Sequence, residues 1–497
     1  MIARGIDNND LCAQGCDIPW VYLIRKWTLI IQVFITCVLI FFDDMDRRDF
    51  LKVSAVSSVA VALPAGVFAK NRKAKEKKGW TNLPADGYVT EPAILIPVVA
   101  DADVVVVGGG PAGVTASIAA ARQGASVLLI ERYNHLGGLW IGGQVLPVLS
   151  TYGRGYDGSP QKVVLGIGDE ICRKMVDMGI AMDVKNKSTG GYDPIVDPEG
   201  AKYLLDTMIE QSGVKMMYFS QAAGAHMSGD RIDALIVECK SGRVAIRCRA
   251  VVDTSGDGDV FAWAGEKFRQ MPYHIGLMSR LGNVDRINRE APGFETIRGI
   301  RANTPIPSVS MMHMVGERNQ DGLDVFNLSR LQVKYRKEIF EKVEAIKKKP
   351  GYEEVFLLDT ASQLGVRVTR VLEAMHTVTL DDSMNYKRYD DVIGLSGASD
   401  SVNYNGQKVV PAKRPVWQIP YRALLPKNTQ NLLVAGRCFS FDDGLAWDAR
   451  EIGTCFVTGQ AAGTAAAMAV LERRSTHDID IDRLHARLLS ENVRLDF

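Results

Sequence analysis

Residues 103–113 read DVVVVGGGPAG, a run of β-branched residues followed by a glycine-rich turn. A turn of this kind between a strand and a helix is typical of dinucleotide-binding units. Gly108 permits the tight turn, Gly110 lets the backbone approach a pyrophosphate, and Gly113 lets the next helix pack closely on the strand. The segment therefore predicts a strand, a turn and a helix that together bind a dinucleotide.

Pro111 and Ala112 begin the predicted helix, and small residues continue it over residues 114–122. The free amide groups and positive dipole end of such a helix face the phosphates of a bound dinucleotide. We therefore expect Pro111 and Ala112 to contact the cofactor. The fold class that follows is α/β, with a Rossmann-type cofactor-binding domain.

An acidic residue follows the second predicted strand, which covers residues 126–130. Glu131 stands at the end of this strand, 23 residues after Gly108. A carboxylate at this place can accept hydrogen bonds from the hydroxyl groups of a ribose. The alternative is an ordinary surface carboxylate at a strand end. NAD and FAD both fit this unit.

Three further segments resemble the FAD-dependent oxidoreductases of the glutathione-reductase-like superfamily, and the resemblance covers roughly residues 102–471. The first is Glu131-Arg132 followed by LGGLW at 136–140. The resemblance implies that Arg132, Gly137 and Gly138 lie along the phosphates and ribityl chain of FAD.

The second segment is VVDTSGDGD at 251–259, where the resemblance places Gly256 and Asp257 beside the adenosine half of FAD. Alternating stretches at 222–227, 232–238 and 244–248 precede it and predict a small β-meander. Calcium is a poor alternative, because the segment lacks the ligand spacing and terminal glutamate of a calcium loop. We predict no metal site.

The third segment comprises NLLVAGRC at 431–438, then Arg450, then GQAAG at 459–463. Many related proteins have an aspartate where this chain has Arg437 after the glycine. The resemblance implies FAD contacts from five residues here: Gly436, Arg437, Arg450, Gly459 and Gln460. It also implies that the helix beginning near Arg450 points its positive end at the flavin pyrimidine ring.

Residues 268–414 change to mixed strands and a charged helix at 328–349, and we interpret them as an inserted α+β substrate domain. Arg367 and Arg370 are the candidate catalytic pair, because in a helix they would project from one face and could bind a carboxylate. A structural ion pair is the alternative for both. His313, with His274, is a candidate proton carrier.

Residues 45–69 have the pattern of a twin-arginine signal peptide, with Arg47 and Arg48 before an apolar run. We interpret residues 1–44 as a mis-assigned N-terminal extension or, alternatively, an anchor formed by 28–42. Residues 70–100 are a predicted linker. We therefore expect recognition by the twin-arginine export machinery and a periplasmic or otherwise exported protein.

The chain has 497 residues and a formal net charge of +1, which argues against nucleic acid as a partner. The predicted FAD domain covers 101–267 and 415–475, and a tail covers 476–497. We expect an exported FAD-dependent oxidoreductase that transfers hydride between a small organic substrate and flavin. Its electron acceptor would be a quinone, a carrier protein or oxygen. The alternatives are a non-catalytic flavin carrier and an NAD-dependent dehydrogenase.

Overall fold

The computed structural model describes residues 91–297 and 299–497, with the backbone alone at 301–303. The predicted extension, the signal peptide with Arg47 and Arg48, and most of the predicted linker lie outside the described residues. The residues from Ala93 to Phe497 cluster as one unit. They are built from α-helices and β-strands.

The helices, numbered in chain order, are α1 Pro111–Arg122, α2 Gly138–Ile141, α3 Gly166–Asp177, α4 Pro198–Gln211, α5 Asp259–Trp263, α6 Val325–Lys347, α7 Leu380–Met384, α8 Ile452–Leu471 and α9 Ile481–Ser490. The strands are β1 Val98–Val107, β2 Val127–Ile130, β3 Tyr152–Arg154, β4 Pro160–Lys162, β5 Ala181–Lys185, β6 Tyr192–Val196, β7 Lys215–Met217, β8 Ser220–Ser228, β9 Arg231–Cys239, β10 Gly242–Asp253, β11 Phe268–Gln270, β12 Tyr273–Gly282, β13 Ile300–Asn303, β14 Ser310–Gln320, β15 Phe356–Thr360, β16 Gly365–Val366, β17 Arg370–Leu372, β18 Val392–Ser396, β19 Val402–Tyr404, β20 Gln407–Val409, β21 Trp417–Pro420 and β22 Leu432–Val434.

The main sheet has the order β7-β2-β1-β10-β9-β8, and β22 pairs with the C-terminal half of β10. Strands β7, β2, β1, β10 and β22 run parallel, and Val107 lies beside both Ile130 and Asp253. The carboxyl ends of these strands therefore meet at one edge, where α/β folds bind ligands. The Rossmann-type fold is confirmed. Strand β1 begins at Val98, inside the predicted linker, because it pairs with β10 from there.

The predicted meander is confirmed as the antiparallel strands β8, β9 and β10. These strands extend the parallel part of the sheet on the side away from β2. Strand β10 belongs to both parts, because residues 242–247 pair with β9, residues 245–253 pair with β1 and residues 251–253 pair with β22. It therefore carries the second predicted segment to the ligand-binding edge.

Helix α8 packs directly on α1 beneath the sheet. A Cβ atom on Gly459 would lie 2.2 Å from the carbonyl oxygen of Ala112, and one on Gly463 would lie 2.1 Å from that of Ala116. Glycine at these positions permits the close crossing. Among the described helices, α8 is long and apolar enough to cross a membrane, but 89% of its apolar window is buried inside the protein.

A second sheet lies within the predicted insertion, with the order β13-β14-β12-β15 and with β16 beside β12. Helix α6 covers it, and a separate core forms between them around Leu277, Tyr335 and Ile339. The side chain of Asp324 caps the N-terminus of α6. By contrast, β18 packs into the main core, so part of residues 268–414 supports the cofactor-binding sheet.

Candidate functional site

A cavity of about 870 Å³ extends from the glycine-rich turn to the second sheet. Many predicted cofactor residues line it: Gly108, Gly110, Pro111, Ala112, Glu131, Arg132, Gly138, Gly256, Gly436, Arg437 and Arg450. The predicted catalytic residues His313 and Arg367 also line it. The carboxyl ends of the parallel strands form one end, and residues of β12 and β14 form the other. The cavity thus joins the predicted cofactor and substrate regions.

Five predicted cofactor residues do not line the cavity: Gly113, Gly137, Asp257, Gly459 and Gln460. A Cβ atom on Gly113 would lie 1.8 Å from the carbonyl oxygen of Gly108, so this glycine serves helix packing as predicted. Gly137 has a φ of +88° at the start of α2. Our assignment of Gly459 and Gln460 as FAD contacts is corrected, because Gly459 faces α1 and Gln460 binds Ile167 and Glu491.

The glycine-rich turn leaves open space where phosphates would lie. Gly108 has a φ of +100°, and a Cβ atom there would lie 2.5 Å from the carbonyl oxygen of Thr254. A Cβ atom on Gly110 would have no atom within 4 Å, so its free side faces the cavity. Gly138 closes the other side, since its Cβ atom would lie 3.1 Å from the Cα atom of Gly110. The backbone therefore forms a narrow cradle without side chains.

Glu131 is buried at the end of β2, and its carboxylate is bound by the backbone. It accepts a hydrogen bond from the amide of Gly109 at 2.7 Å and another from the amide of Tyr133 at 2.8 Å. The carboxylate therefore holds the glycine-rich turn against the end of β2. Each oxygen keeps a second lone pair that can accept a ribose hydroxyl.

Arg437 occupies the place where many related proteins have an aspartate. Its Nη2 donates to the carboxylate of Asp257 at 2.7 Å, and Thr369 donates to the same carboxylate oxygen at 3.0 Å. Although burial opposes ionisation, the neighbouring Arg437 and Arg132 hold the pKa of Asp257 below its usual value. The buried Nη1 of Arg437 has no hydrogen-bond partner among the described residues. Arg437 nevertheless lines the cavity, where its guanidinium group fits a phosphate oxygen.

The predicted pairing of Arg367 with Arg370 is wrong. The segment is extended, with β16 and β17 at its ends, and residues three apart in extended chain point to opposite sides. Arg370 does not line the cavity, and it donates to the carboxylate of Asp259 at 2.8 Å and the carbonyl of Asp257 at 2.9 Å. It therefore forms the structural ion pair that we considered as its alternative.

Arg367 instead lies beside Arg450. The guanidinium carbon of Arg367 is 5.4 Å from the ring centre of Trp447, and that of Arg450 is 4.3 Å from the same centre. Burial and then the charge of Arg450 lower the pKa of Arg367 to about 10. Arg450 contacts the adjacent Glu451 at 3.3 Å. The N-terminus of α8 follows at once, so two cations and a positive helix end converge on this part of the cavity.

His274 and His313 line the same end of the cavity as Arg367. His274 lines the cavity on β12, and its pKa is lowered to about 4 by burial and then by Arg367 and Arg318. It is therefore neutral at physiological pH and able to accept a hydrogen bond. His313 lines the cavity from an exposed position on β14. The structure thus brings both candidate histidines to the same end as Arg367.

The sequence did not reveal the aromatic and sulfur-containing side chains of this end. Trp447 and Tyr273 line it together with Met278, Met311 and Met314. They come from separate parts of the chain and show no common spacing. The sequence signal for this end is Trp447, three residues before the candidate residue Arg450.

Residues 103–488 match the family model described as FAD dependent oxidoreductase. Thiamine thiazole synthase of Aeropyrum pernix is 60% identical over 42 residues, which cover 8% of this chain and 16% of that protein. Digeranylgeranylglycerophospholipid reductase of Methanocaldococcus jannaschii is 27% identical over 181 residues, which cover 35% of this chain and 43% of that protein. The matches therefore span less than half the length of these relatives.

A solved structure from Thermoplasma acidophilum, described as geranylgeranyl bacteriochlorophyll reductase-like, superimposes with a TM-score of 0.40 and 16% identity. The superposition covers 79% of this chain and 84% of that one. The family match spans the glycine-rich turn, the insertion and α8. FAD rather than NAD is therefore the cofactor, and the chain belongs to the family of FAD-dependent oxidoreductases.

Proposed function

We propose that this protein oxidises or reduces a small organic molecule held between the flavin and the second sheet. The cavity that runs from the phosphate cradle to β12 and β14 carries this proposal. FAD supplies the hydride chemistry when it is bound. The remaining work of the protein is to orient the substrate, exclude water and manage protons.

One end of the cavity suits the binding of FAD, and the other suits the binding of a substrate. Gly110, Arg437 and Glu131 would hold the pyrophosphate and ribose at the sheet edge. At the other end, the neutral imidazole of His274 can accept a hydrogen bond from an O–H or N–H group of the substrate. A substrate that loses hydride to the flavin and the proton of that group to solvent gives up two electrons and two hydrogens in total. The electron acceptor is a quinone, a carrier protein or oxygen.

Export is part of the proposal and is supported by the twin arginines at Arg47 and Arg48. The twin-arginine pathway carries folded proteins, which suits an enzyme that must acquire FAD before it crosses a membrane. We also propose membership of the glutathione-reductase-like superfamily, supported by the glycine-rich turn and the three family-like segments of the sequence.

The absorption spectrum of the purified protein tests this function. A yellow protein that releases FAD on denaturation, and whose visible bands bleach anaerobically on adding a substrate, is the expected result. Sugars, steroids, amines and organic acids form the substrate screen. A colourless protein that cannot be loaded with FAD would contradict the proposal, as would loaded protein whose oxidised flavin no compound in the screen bleaches and whose reduced flavin none reoxidises.

A further inference from the structure

We propose that the end of the cavity beside Trp447 binds the carboxylate of a small organic acid with a hydrophobic body. Arg367 and Arg450 would hold the carboxylate. This inference rests on the proposed redox function, and it names the chemical class of the substrate.

The position of the two arginines is the first support. Both guanidinium groups lie beside the indole ring of Trp447, and both residues line the cavity. They come from different elements, since Arg367 follows β16 and Arg450 precedes α8. Two guanidinium groups around one aromatic ring present several N–H donors to the same space, which is the arrangement that recognises planar oxyanions.

The second support is the hydrogen bonding of these arginines. Arg367 is partly buried, yet its contacts are the carbonyl of His274 and the sulfur of Met314, each at 3.3 Å. Among the described residues no carboxylate pairs with it. The buried Nε of Arg450 also has no hydrogen-bond partner in the described part of the chain. Arg367 lines the cavity, so a ligand there can satisfy the donors that it does not use within the protein.

Charge favours a carboxylate over a phosphate ester. Three arginines line this end, Arg318, Arg367 and Arg450, against the carboxylates of Asp400 and Glu451. The excess is one positive charge, which a monocarboxylate balances. A phosphate ester carries about 1.5 to 2 negative charges at neutral pH, so it would leave a negative charge uncompensated.

The rest of the wall is hydrophobic. Tyr273 and three methionines line this end: Met278, Met311 and Met314. Methionine side chains are flexible and polarisable, so they adapt to aliphatic and aromatic groups. The body of the acid would therefore lie against these side chains while its carboxylate contacts the arginines.

The segment that carries Trp447 and Arg450 is held rigidly. The carboxylate of Asp448, between them, forms a fully buried ion pair with Arg414. The same carboxylate accepts a hydrogen bond from the backbone amide of Ser399 at 3.2 Å. The backbone carbonyl of Asp448 accepts another from the hydroxyl of Thr454 at 2.9 Å. An arginine on such a segment is preorganised for its ligand.

Titration of the FAD-loaded protein with acetate, benzoate and phenylacetate tests the proposal, with the change in flavin absorbance as the readout. At least one acid should perturb the spectrum, and its amide should bind at least about tenfold more weakly. Arg367→Ala and Arg367→Gln should each weaken binding of that acid by about tenfold or more, as should Arg450→Ala. Arg286→Ala is the matched control, since Arg286 is an exposed arginine paired with Glu354 away from the cavity.

Several outcomes would overturn the inference. These are a yellow wild-type protein that none of the three acids perturbs, equal binding of acid and amide, or unchanged binding in the Arg367 variants. If phenyl phosphate binds more tightly than the acids, the class is wrong. If Arg450→Ala loses its FAD, Arg450 belongs to the cofactor site and not to the substrate site. A colourless wild-type protein would instead contradict the proposed function itself.

Discussion

The guanidinium group of Arg437 donates to the carboxylate of Asp257 at 2.7 Å, which joins the turn after β22 to the turn after β10. Both turns lie at the carboxyl edge of the main sheet. The contact holds one face of Arg437 inside the protein while its buried Nη1 has no partner among the described residues. The side chain is therefore fixed in place, and because Arg437 also lines the cavity it can still bind an anion there.

We expect Arg437→Ala to weaken FAD binding by about ten- to a hundredfold, because a charge-assisted hydrogen bond contributes roughly 1.5–3 kcal/mol. Arg437→Lys should weaken FAD binding less, because the positive charge remains even though the fork of donors is lost. Fluorescence titration of the apoprotein with FAD measures the affinity of each variant. Arg388→Ala, at an exposed arginine that contacts Asp496, is the control. Wild-type affinity in the alanine variant would remove Arg437 from the cofactor site.

Two neighbouring glycines should respond differently to valine. Gly110→Val should abolish FAD retention without unfolding the apoprotein, because the new side chain enters open space that the pyrophosphate needs. Gly113→Val should destabilise the protein by about 3 kcal/mol or more, because a Cβ atom there meets the carbonyl oxygen of Gly108 at 1.8 Å. Urea unfolding and flavin content distinguish the two. A full complement of FAD in the Gly110 variant would show that this turn is wrongly assigned.

Glu131→Ala should weaken FAD binding, but less than Gly110→Val does. The change removes the acceptor for the amides of Gly109 and Tyr133 and leaves the space for the pyrophosphate unchanged. Glu131→Gln should retain part of the affinity, since its amide oxygen still accepts one of these hydrogen bonds. Calorimetric titration with FAD gives the order of affinities. If Glu131→Ala binds FAD as tightly as wild type, its carboxylate has no part in the site.

The pKa of His274 should rise toward 6.5 in Arg367→Ala. Burial first, then the charges of Arg367 and Arg318, lower this pKa to about 4. Between pH 6.5 and 4 the unfolded chain binds a proton that folded His274 refuses, so this group makes the protein less stable as pH falls through that window. Removing Arg367 should raise the lower limit of this pH range, because the pKa of folded His274 moves closer to 6.5. NMR titration of the imidazole, assigned with His274→Asn, measures the shift, and an unchanged pKa would mean that Arg367 does not act on it.

Replacement of both Arg47 and Arg48 by lysine should leave the precursor in the cytoplasm. Twin arginines are recognised as a pair, so loss of the pair should stop export even though both positive charges remain. Fractionation of an expressing cell measures the distribution, and N-terminal sequencing should place the start of the exported protein near Lys70. Finding Met1 or Ile2 at that terminus would favour the anchor interpretation instead.

The local pattern of the sequence determined the dinucleotide unit. A strand, a glycine-rich turn and a helix follow one another within residues 98–122, and the roles of Gly108, Gly110 and Gly113 depend on local backbone sterics. The meander and helix α6 were predictable for the same reason, because their periodicity is a property of neighbouring residues. The family of the chain followed from segments of this kind.

Only the tertiary structure decided which charged residues face the cavity. Arg367 and Arg370 would share a face in a helix, but the extended chain sends Arg367 to the cavity and Arg370 to Asp259. The pairing of Arg437 with Asp257 joins residues 180 positions apart, and Arg367 and Arg450 meet at Trp447 from separate elements. Such contacts depend on how distant strands and helices pack, which no local pattern of residues encodes.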